Sequence, residues 1–335
     1  MRARHFARHF GQARPLGPGR LERETPWEDP VNEAEELWYA GLIFRAFAED
    51  EAGPGEFVFI PDDLLPLLPQ LDDGASAFVL ETLPLSEMDA KLEEVPGRDQ
   101  TLVQDLFRYL VFLQIREVRP HADGRLGKRD LADLRRGLST PDGRLDFLRH
   151  LVDRLGFVTR QGDYLSLRSS PVKRWLNGPP GYQIRALQEV WRDDPSWYDL
   201  CRVPGLVCDE DTGWLHRYDP VAARRAFLAL LARCPVGAWW SLESFVAVVK
   251  ETDPDFQRPD GDYSAWYIRK TDSTSYLSGF DSWDSVEGAL VRDLLTGPLR
   301  WLGVVGIVPH GSKVACRLTG AGARFLGLEP DVPDA

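Results

Sequence analysis

Residues 142–167, DGRLDFLRHLVDRLGFVTRQGDYLSL, decide the fold. Asp142 is placed to cap a helix over 143–155, because a short acidic side chain accepts from the free N–H groups of a first turn. Leu145, Leu148, Leu151, Val152 and Leu155 recur at helical spacing and share one face. Gly156 ends the helix, Phe157-Val158 starts a strand, Gln161-Gly162-Asp163 turns, and Tyr164–Leu167 returns. Upstream, 101–118 is a strongly periodic helix with Leu102, Leu106, Tyr109, Leu110 and Leu113 on one side, and 128–138 is a second, basic helix. Three helices followed by a β-hairpin make a winged helix, a variant of the helix-turn-helix.

The same order recurs on either side. In the first copy Asn32 caps a helix that Gly41 stops, with Glu33, Glu35 and Glu36 suited to its positive end. Leu42-Ile43-Phe44 and Phe57-Val58-Phe59-Ile60 then form a hairpin around the turn 49–55, and a proline-bounded helical segment follows at 64–69. In the third copy Asp219-Pro220 starts a helix through Ala232, Ser241 caps 242–250, and 283–295 is helical. Trp301-Leu302-Gly303-Val304-Val305-Gly306 leads into a strand, 314–318 returns, and a last short helix reaches Leu326.

These readings predict a mainly α chain with small β-hairpins (α+β), built of tandem winged-helix modules. The expected divisions are a flexible basic arm at 1–26, an acidic partial module at 27–97 and a basic winged helix at 98–176. A linker and helical bridge at 177–218 follow, marked by Gly178-Pro179-Pro180. A C-terminal winged helix at 219–328 carries an insertion at 252–282.

Charge separates the segments more sharply than the net −12 of the 335-residue chain suggests. Residues 1–20 hold five Arg and no acid; 21–97 hold 3 basic and 20 acidic residues; 98–180 hold 16 basic and 10 acidic. Phosphate attraction acts over roughly a Debye length, so only the arm and the middle segment suit a nucleic-acid backbone. The acidic segment suits a basic partner. No apolar run reaches the ~18 residues of a membrane span, and the N-terminus lacks the apolar core of a secretory signal. Cys201, Cys208, Cys234 and Cys316 show no CxxC and no dense framework, which predicts a reducing, cytoplasmic setting.

Catalytic and metal motifs fail on spacing. Gly124-Arg125-Leu126-Gly127-Lys128 places its glycines too close for a phosphate-cradling loop and is followed by Arg129. Pro259-Asp260 with Lys270 lacks the acid two residues before the lysine, where Ile268 stands. The acidic run from Asp253 has Arg258 and Ser264 where a calcium loop needs Gly and Glu. Ser170-Pro171-Val172-Lys173 has no companion motifs. Cys201, Cys208 and His216 are spaced unlike a structural zinc site. No enzyme activity, cofactor or metal is expected.

What remains is the basic helix. Lys128, Arg135 and Arg136 lie toward one side while Leu131, Leu134 and Leu138 bury the other. Arg125, Lys128, Arg129, Arg135 and Arg136 are therefore the candidate phosphate contacts, with Arg2, Arg4 and Arg8 as an arm. The competing reading is a solvated face paired to its own acids. Trp175, Trp191, Trp239, Trp240, Trp266 and Trp301 read as core anchors rather than base-stacking platforms.

Three stretches carry a family likeness: Leu42-Ile43-Phe44 with residues 57–64, Gly124-Arg125-Leu126-Gly127-Lys128-Arg129-Asp130-Leu131, and Gly297-Pro298-Leu299-Arg300-Trp301-Leu302-Gly303. Weaker support comes from residues 239–245 and 255–259. Across most of 31–326 the chain resembles the helicase-associated winged-helix proteins of the XPB-type N-terminal family, which occur as stand-alone chains in some bacteria. The resemblance implies a DNA-repair or helicase-linked setting without motor activity, and hence DNA (duplex or forked) and a helicase or other protein as partners. The expectation is a non-enzymatic DNA-binding or helicase-accessory factor. The alternatives are a protein-interaction scaffold that touches no nucleic acid, and a transcriptional regulator, which would need dimer symmetry and a sensor pocket.

Overall fold

Helices joined to small antiparallel sheets make this an α+β chain. The computed structural model describes residues 1–50, 53–68, 78–84, 101–121, 124–138, 144–179, 181–209, 212–258 and 260–328. The chain divides into two units. One holds Met1–Ala77 with Arg258–Trp266 and Ser278–Phe280; the other holds Phe78–Gln257, Tyr267–Leu277 and Asp281–Ala335.

In the first unit, α1 (Ala3–Phe10) and α2 (Pro18–Glu24) stand where a flexible arm was expected. α1 is held by polar partners far away in sequence, Arg4 by Asp262 and Arg8 by the Gly261 carbonyl, which local composition does not reveal, while α2 carries the local pair Arg20–Glu24. Gly11 has a φ of +83°, and a Cβ there would lie 2.5 Å from Asn32 Cγ, so the turn after α1 requires glycine twice over. Asn32 donates to the Gln12 carbonyl and accepts the Glu35 N–H at 2.9 Å, capping α3 (Glu33–Tyr39) as predicted. Arg14 meets Glu35 through Nε and Nη2, each 2.8 Å from a carboxylate oxygen. Glu35 is wholly buried, and Arg14 holds its carboxyl down at about 2 against the opposing effect of burial. Strands β1 (Phe44–Asp50) and β2 (Gly53–Phe59) pair from Phe44↔Phe59 to Asp50↔Gly53. This hairpin is longer than the predicted one, because Arg2 donates both to Asp50 and to the Gly53 carbonyl and draws the strand ends together.

The second unit begins with residues 78–84, which sequence assigns to the acidic module. They instead line the edge of β6 (Trp239–Ser241): Leu83 N–H donates to the Trp239 carbonyl, and Ser241 N–H to that of Glu81, each at 2.9 Å. Next come α4 (Thr101–Ile115), α5 (Lys128–Gly137) and α6 (Arg144–Arg154), then β3 (Val158–Gln161) and β4 (Tyr164–Leu167) as an antiparallel pair. The five apolar positions predicted for the face of α4 are each at most 4% exposed. Asp142, the predicted cap of α6, lies outside the described residues. Helix α7 (Ser169–Leu176) closes the segment expected as the basic winged helix, and α8 (Tyr182–Asp193) lies in the expected bridge.

The C-terminal part runs α9 (Pro220–Leu231), β6, α10 (Leu242–Thr252), α11 (Trp283–Thr296), α12 (Pro298–Trp301), β8 (Val305–His310), β9 (Lys313–Leu318) and α13 (Gly320–Phe325). Between α8 and α9 lies β5 (Leu206–Cys208), and the predicted insertion supplies its partner β7 (Ile268–Lys270). The larger sheet has the order β6-β9-β8. Asp219 and Ser241 cap α9 and α10 as predicted. At Gly322 a Cβ would fall 2.2 Å from the Val304 carbonyl oxygen, so α13 approaches the residue that leads into β8 as only glycine permits.

Apart from Arg258–Trp266 and Ser278–Phe280, the segments 98–176, 177–218 and 219–328 share one unit. Phe147 of α6 contacts both Trp197 and Trp301, with ring centroids 5.3 and 5.5 Å apart. Buried Gln188 of α8 donates to the Leu302 carbonyl at 2.9 Å. Trp175, Trp191 and Trp240 are buried; Trp239 and Trp301 are half-buried.

The cysteine reading is corrected. Cys201 and Cys208 are joined in a disulfide, their Cα atoms 5.4 Å apart, while Cys234 and Cys316 are buried free thiols. Spacing hid this pair because β5 folds back on the turn at Leu200–Arg202. The disulfide removes the ground for expecting a reducing compartment. Among the described residues no helix is long and apolar enough to cross a membrane.

Candidate nucleic-acid interface

Helix α5 starts at Gly127 without a side-chain cap and turns Leu134 into the core, 3% exposed. Leu131 and Leu138 are half-buried beside it. This apolar side forces the cations outward, and Arg125, Lys128, Arg129, Arg135 and Arg136 are all exposed. Arg136 pairs with Asp133, which Arg116, just after α4, also reaches at 2.5 Å. The two arginines hold the Asp133 carboxyl below its ordinary range. Lys128, Arg129 and Arg135 have no carboxylate partner among the described residues. The reading of α5 as a self-paired face thus applies to Arg136 and not to these three.

The arm arginines are differently placed. Arg2 is bound to Asp50 and lies 5.4 Å over the Phe57 ring. Arg4 reaches Asp262 at 3.2 Å. Arg8 sits 4.6 and 4.8 Å over the rings of Tyr263 and Phe280 and donates to the Gly261 carbonyl. Their partners lie within the first unit, so the structure does not bring them together as a free basic arm.

The third helix, α6, offers little cationic surface. Its outward Asp146 and Asp153 are acidic, and His150 and Arg154 both engage Asp194 beyond α8. Burial pushes the Asp194 carboxyl up, but hydrogen bonds from Ser196 and His150 outweigh it and hold it below its ordinary value. On the hairpin, Arg160 is exposed next to the turn and donates to the Gly162 carbonyl at 3.2 Å.

Sequence reasoning missed Arg149. Its Nη2 donates to the Gly124 carbonyl at 2.7 Å, and with Arg125 and Arg135 it lines a cleft of about 270 Å³ between α5 and α6. The signal was its place three residues after Asp146 and four after Leu145, at the edge of the leucine face of α6. Nothing in the sequence indicated which loop that side would meet.

A second concavity follows α4. Phe107, Val111 and Ile115, spaced by four, are 48%, 40% and 73% exposed. They line an apolar groove of about 350 Å³ that ends at Leu134 and Leu138, with Arg108 and Arg116 at its edge.

Among the described residues no three His, Cys, Asp or Glu side chains converge as metal ligands do. The disulfide also takes Cys201 and Cys208 out of the weighed zinc set with His216. Comparison of the chain with protein-family models, with curated proteins and with solved structures gives no match in any of the three.

Proposed function

We propose that this chain is a non-enzymatic DNA-binding protein of tandem winged helices, which grips phosphates through α5 and serves as an accessory factor to a DNA-processing machine such as a helicase. The observation that carries the reading is the set of exposed cations on α5, three of them without a carboxylate partner among the described residues. An unpaired surface cation releases condensed counterions when it meets a phosphate, and that release drives non-specific association.

The order of elements supports the winged-helix part. Helix, short strand, two further helices and a hairpin occur in α9, β6, α10, α11 and β8–β9. In α4, α5, α6 and β3–β4 the bond from Leu165 N–H to the Val118 carbonyl takes the place of the first strand. The cover over α6 limits the mode of binding. A third helix whose His150 and Arg154 are tied to Asp194 cannot enter a major groove freely, so base-edge readout is weak and phosphate contact dominates.

The test is binding of the full chain to duplex, forked and single-stranded DNA over a salt series. The expected result is binding that weakens steeply with salt, its logarithmic slope near −0.9 per phosphate neutralised. Absence of binding even at about 50 mM salt overturns the reading.

A second reading, a protein-interaction scaffold, is favoured by the exposed Phe107, Val111 and Ile115 stripe. Such a groove takes the apolar face of a partner helix, and the arginines at its edge suit one with acidic flanks.

A further inference from the structure

We infer that the outer edge of β1 is a self-association surface, on which a second copy of this chain adds its own β1, antiparallel, about a two-fold axis. The two edges of the β1–β2 hairpin differ. On the β2 side the edge is covered: Val58 N–H donates to the Met1 carbonyl at 2.9 Å, the Val58 carbonyl accepts from Met1 N at 3.1 Å, and Pro54 has no N–H to offer. On the β1 side all seven residues, Phe44–Asp50, are exposed, and among the described residues no backbone group outside β2 bonds to the strand. Because Val58 turns its N–H and C=O away from β1, its opposite number Arg45 turns its own away from β2. The same alternation applies to Phe47 and Glu49. These three residues therefore present their N–H and C=O groups in a row, the template on which another strand adds.

The side chains of β1 select a copy of itself as the occupant. Residues with outward backbone groups must stand opposite one another in the added pair. With Phe47 opposite Phe47 of the second copy, Arg45 falls opposite Glu49 and Glu49 opposite Arg45, all on one face, while Ala46 meets Ala48 on the other. Sliding the copies one pairing position along sets a charge opposite Phe47, and one position more sets it opposite its own kind. Phe47 is 80% exposed, and its opposite number within the hairpin is Glu56, so the ring at the centre of the strand is covered only in the pair. Arg45 is already engaged in the single copy, 3.8 Å from Glu56 and 5.7 Å over the Trp38 ring. A guanidinium carries five N–H donors, so Arg45 keeps Glu56 and takes Glu49 of the second copy as well. Nor does β1 carry the devices that block an edge. It has no Pro, no Lys and no bulge, and its two outward charges, opposite in sign, are matched by a two-fold rather than repelled.

The experiment is sedimentation equilibrium of the full chain over a concentration series, with hydrogen exchange at its low and high ends; it needs no DNA, and the inference stands apart from the DNA-binding reading. The expected result is a monomer–dimer equilibrium in the micromolar range or weaker, as a small interface gives, with slower amide exchange over residues 44–50 in the dimer. Phe47→Lys alters an exposed side chain, gains Glu56 as a partner within its own hairpin and sets two like charges opposite each other across the axis. It should raise the dissociation constant at least about tenfold. Glu49→Arg and Arg45→Glu should each weaken self-association, and an equimolar mixture of the two should restore it, because both cross pairs then join opposite charges. Should Phe47→Lys change the circular dichroism spectrum, the mixture carries the test in its place. A chain that is monomeric at every concentration overturns the inference. So does a dimer that survives Phe47→Lys and both charge reversals, or that shows no protection over 44–50, since it then forms through another surface. Weakening by each charge reversal without recovery in the mixture overturns the two-fold register and the pairing with it.

Discussion

Arg224 and Asp199 form a buried ion pair, Nε to Oδ2 at 2.6 Å, that fastens the bridge segment to α9. Asp199 also accepts from the indole N–H groups of Trp191 and Trp197 at 3.1 and 3.0 Å. Arg224 further donates to the carbonyls of Trp191 and Asp194, at 2.8 and 2.7 Å, and to that of Trp197. Nearly every polar atom of the pair is thus satisfied, which is what lets two charges remain in a dry interior. Arg224→Met should cost about 3–5 kcal/mol, because Asp199 is left buried without its counter-charge. Urea unfolding measures this, and a loss under about 1 kcal/mol would show that the pair does not hold the bridge.

How much of this was legible in sequence depended on how local each interaction is. Asn32, Asp219 and Ser241 were readable as caps because a cap acts within three residues. The outward cations of α5 were readable because the intervening leucines set the phase of the helix. Arg224 was not, since it stands beside Arg225 in a helix where both look like a solvated face, and its partner is 25 residues upstream. Arg2 misled for the same reason: Asp50, 48 residues away, converts a basic terminus into part of a folded unit.

Two groups of arginines named together by sequence should now separate in experiment. Reversing Lys128, Arg129, Arg135 and Arg136 to Glu should abolish DNA binding and leave the circular dichroism spectrum unchanged. The single change Arg129→Gln should reduce the salt slope by about one. Arg2→Gln should instead leave the slope unchanged and lower the unfolding midpoint, since Arg2 serves the β1–β2 hairpin. A lost slope in Arg2→Gln would return the N-terminal segment to the interface.

Asp293 on α11 sets a dependence on pH. Burial, with the nearby Asp199 charge as a smaller cause, pushes its carboxyl up to about 7. The unfolded chain releases this proton near pH 4 and the folded chain only near 7, so folding loses stability as pH rises through that window and nothing more above it. Asp293→Asn should therefore leave stability at pH 4 nearly unchanged and raise it at pH 8 by on the order of 4 kcal/mol. Thermal melts of both proteins at the two pH values decide the point; equal melting temperatures at pH 8 would place Asp293 in an ordinary solvated setting.

The disulfide makes the last prediction, and it bears on where the chain works. Cys201 and Cys208 close a loop of sequence separation 7. A cross-link of that length restricts the unfolded chain by about 2–3 kcal/mol. Over a unit of this size, that corresponds to a melting temperature about 5–10 °C higher than in the reduced form. A dithiol reductant should lower the melting temperature by this amount in the wild type and have no effect on the Cys201→Ser/Cys208→Ser double variant. The two remaining cysteines provide the internal control. Burial pushes both thiols up, that of Cys316 to about 12, so neither forms the reactive thiolate at neutral pH. Alkylation of the native protein should therefore add no label before reduction and two labels after it. Two labels without reductant would mean that the pair is open in solution and would restore the argument for a reducing compartment. No labels, with the drop in melting temperature on reduction, would require an oxidising setting or a barrier that keeps cellular thiols from the bond.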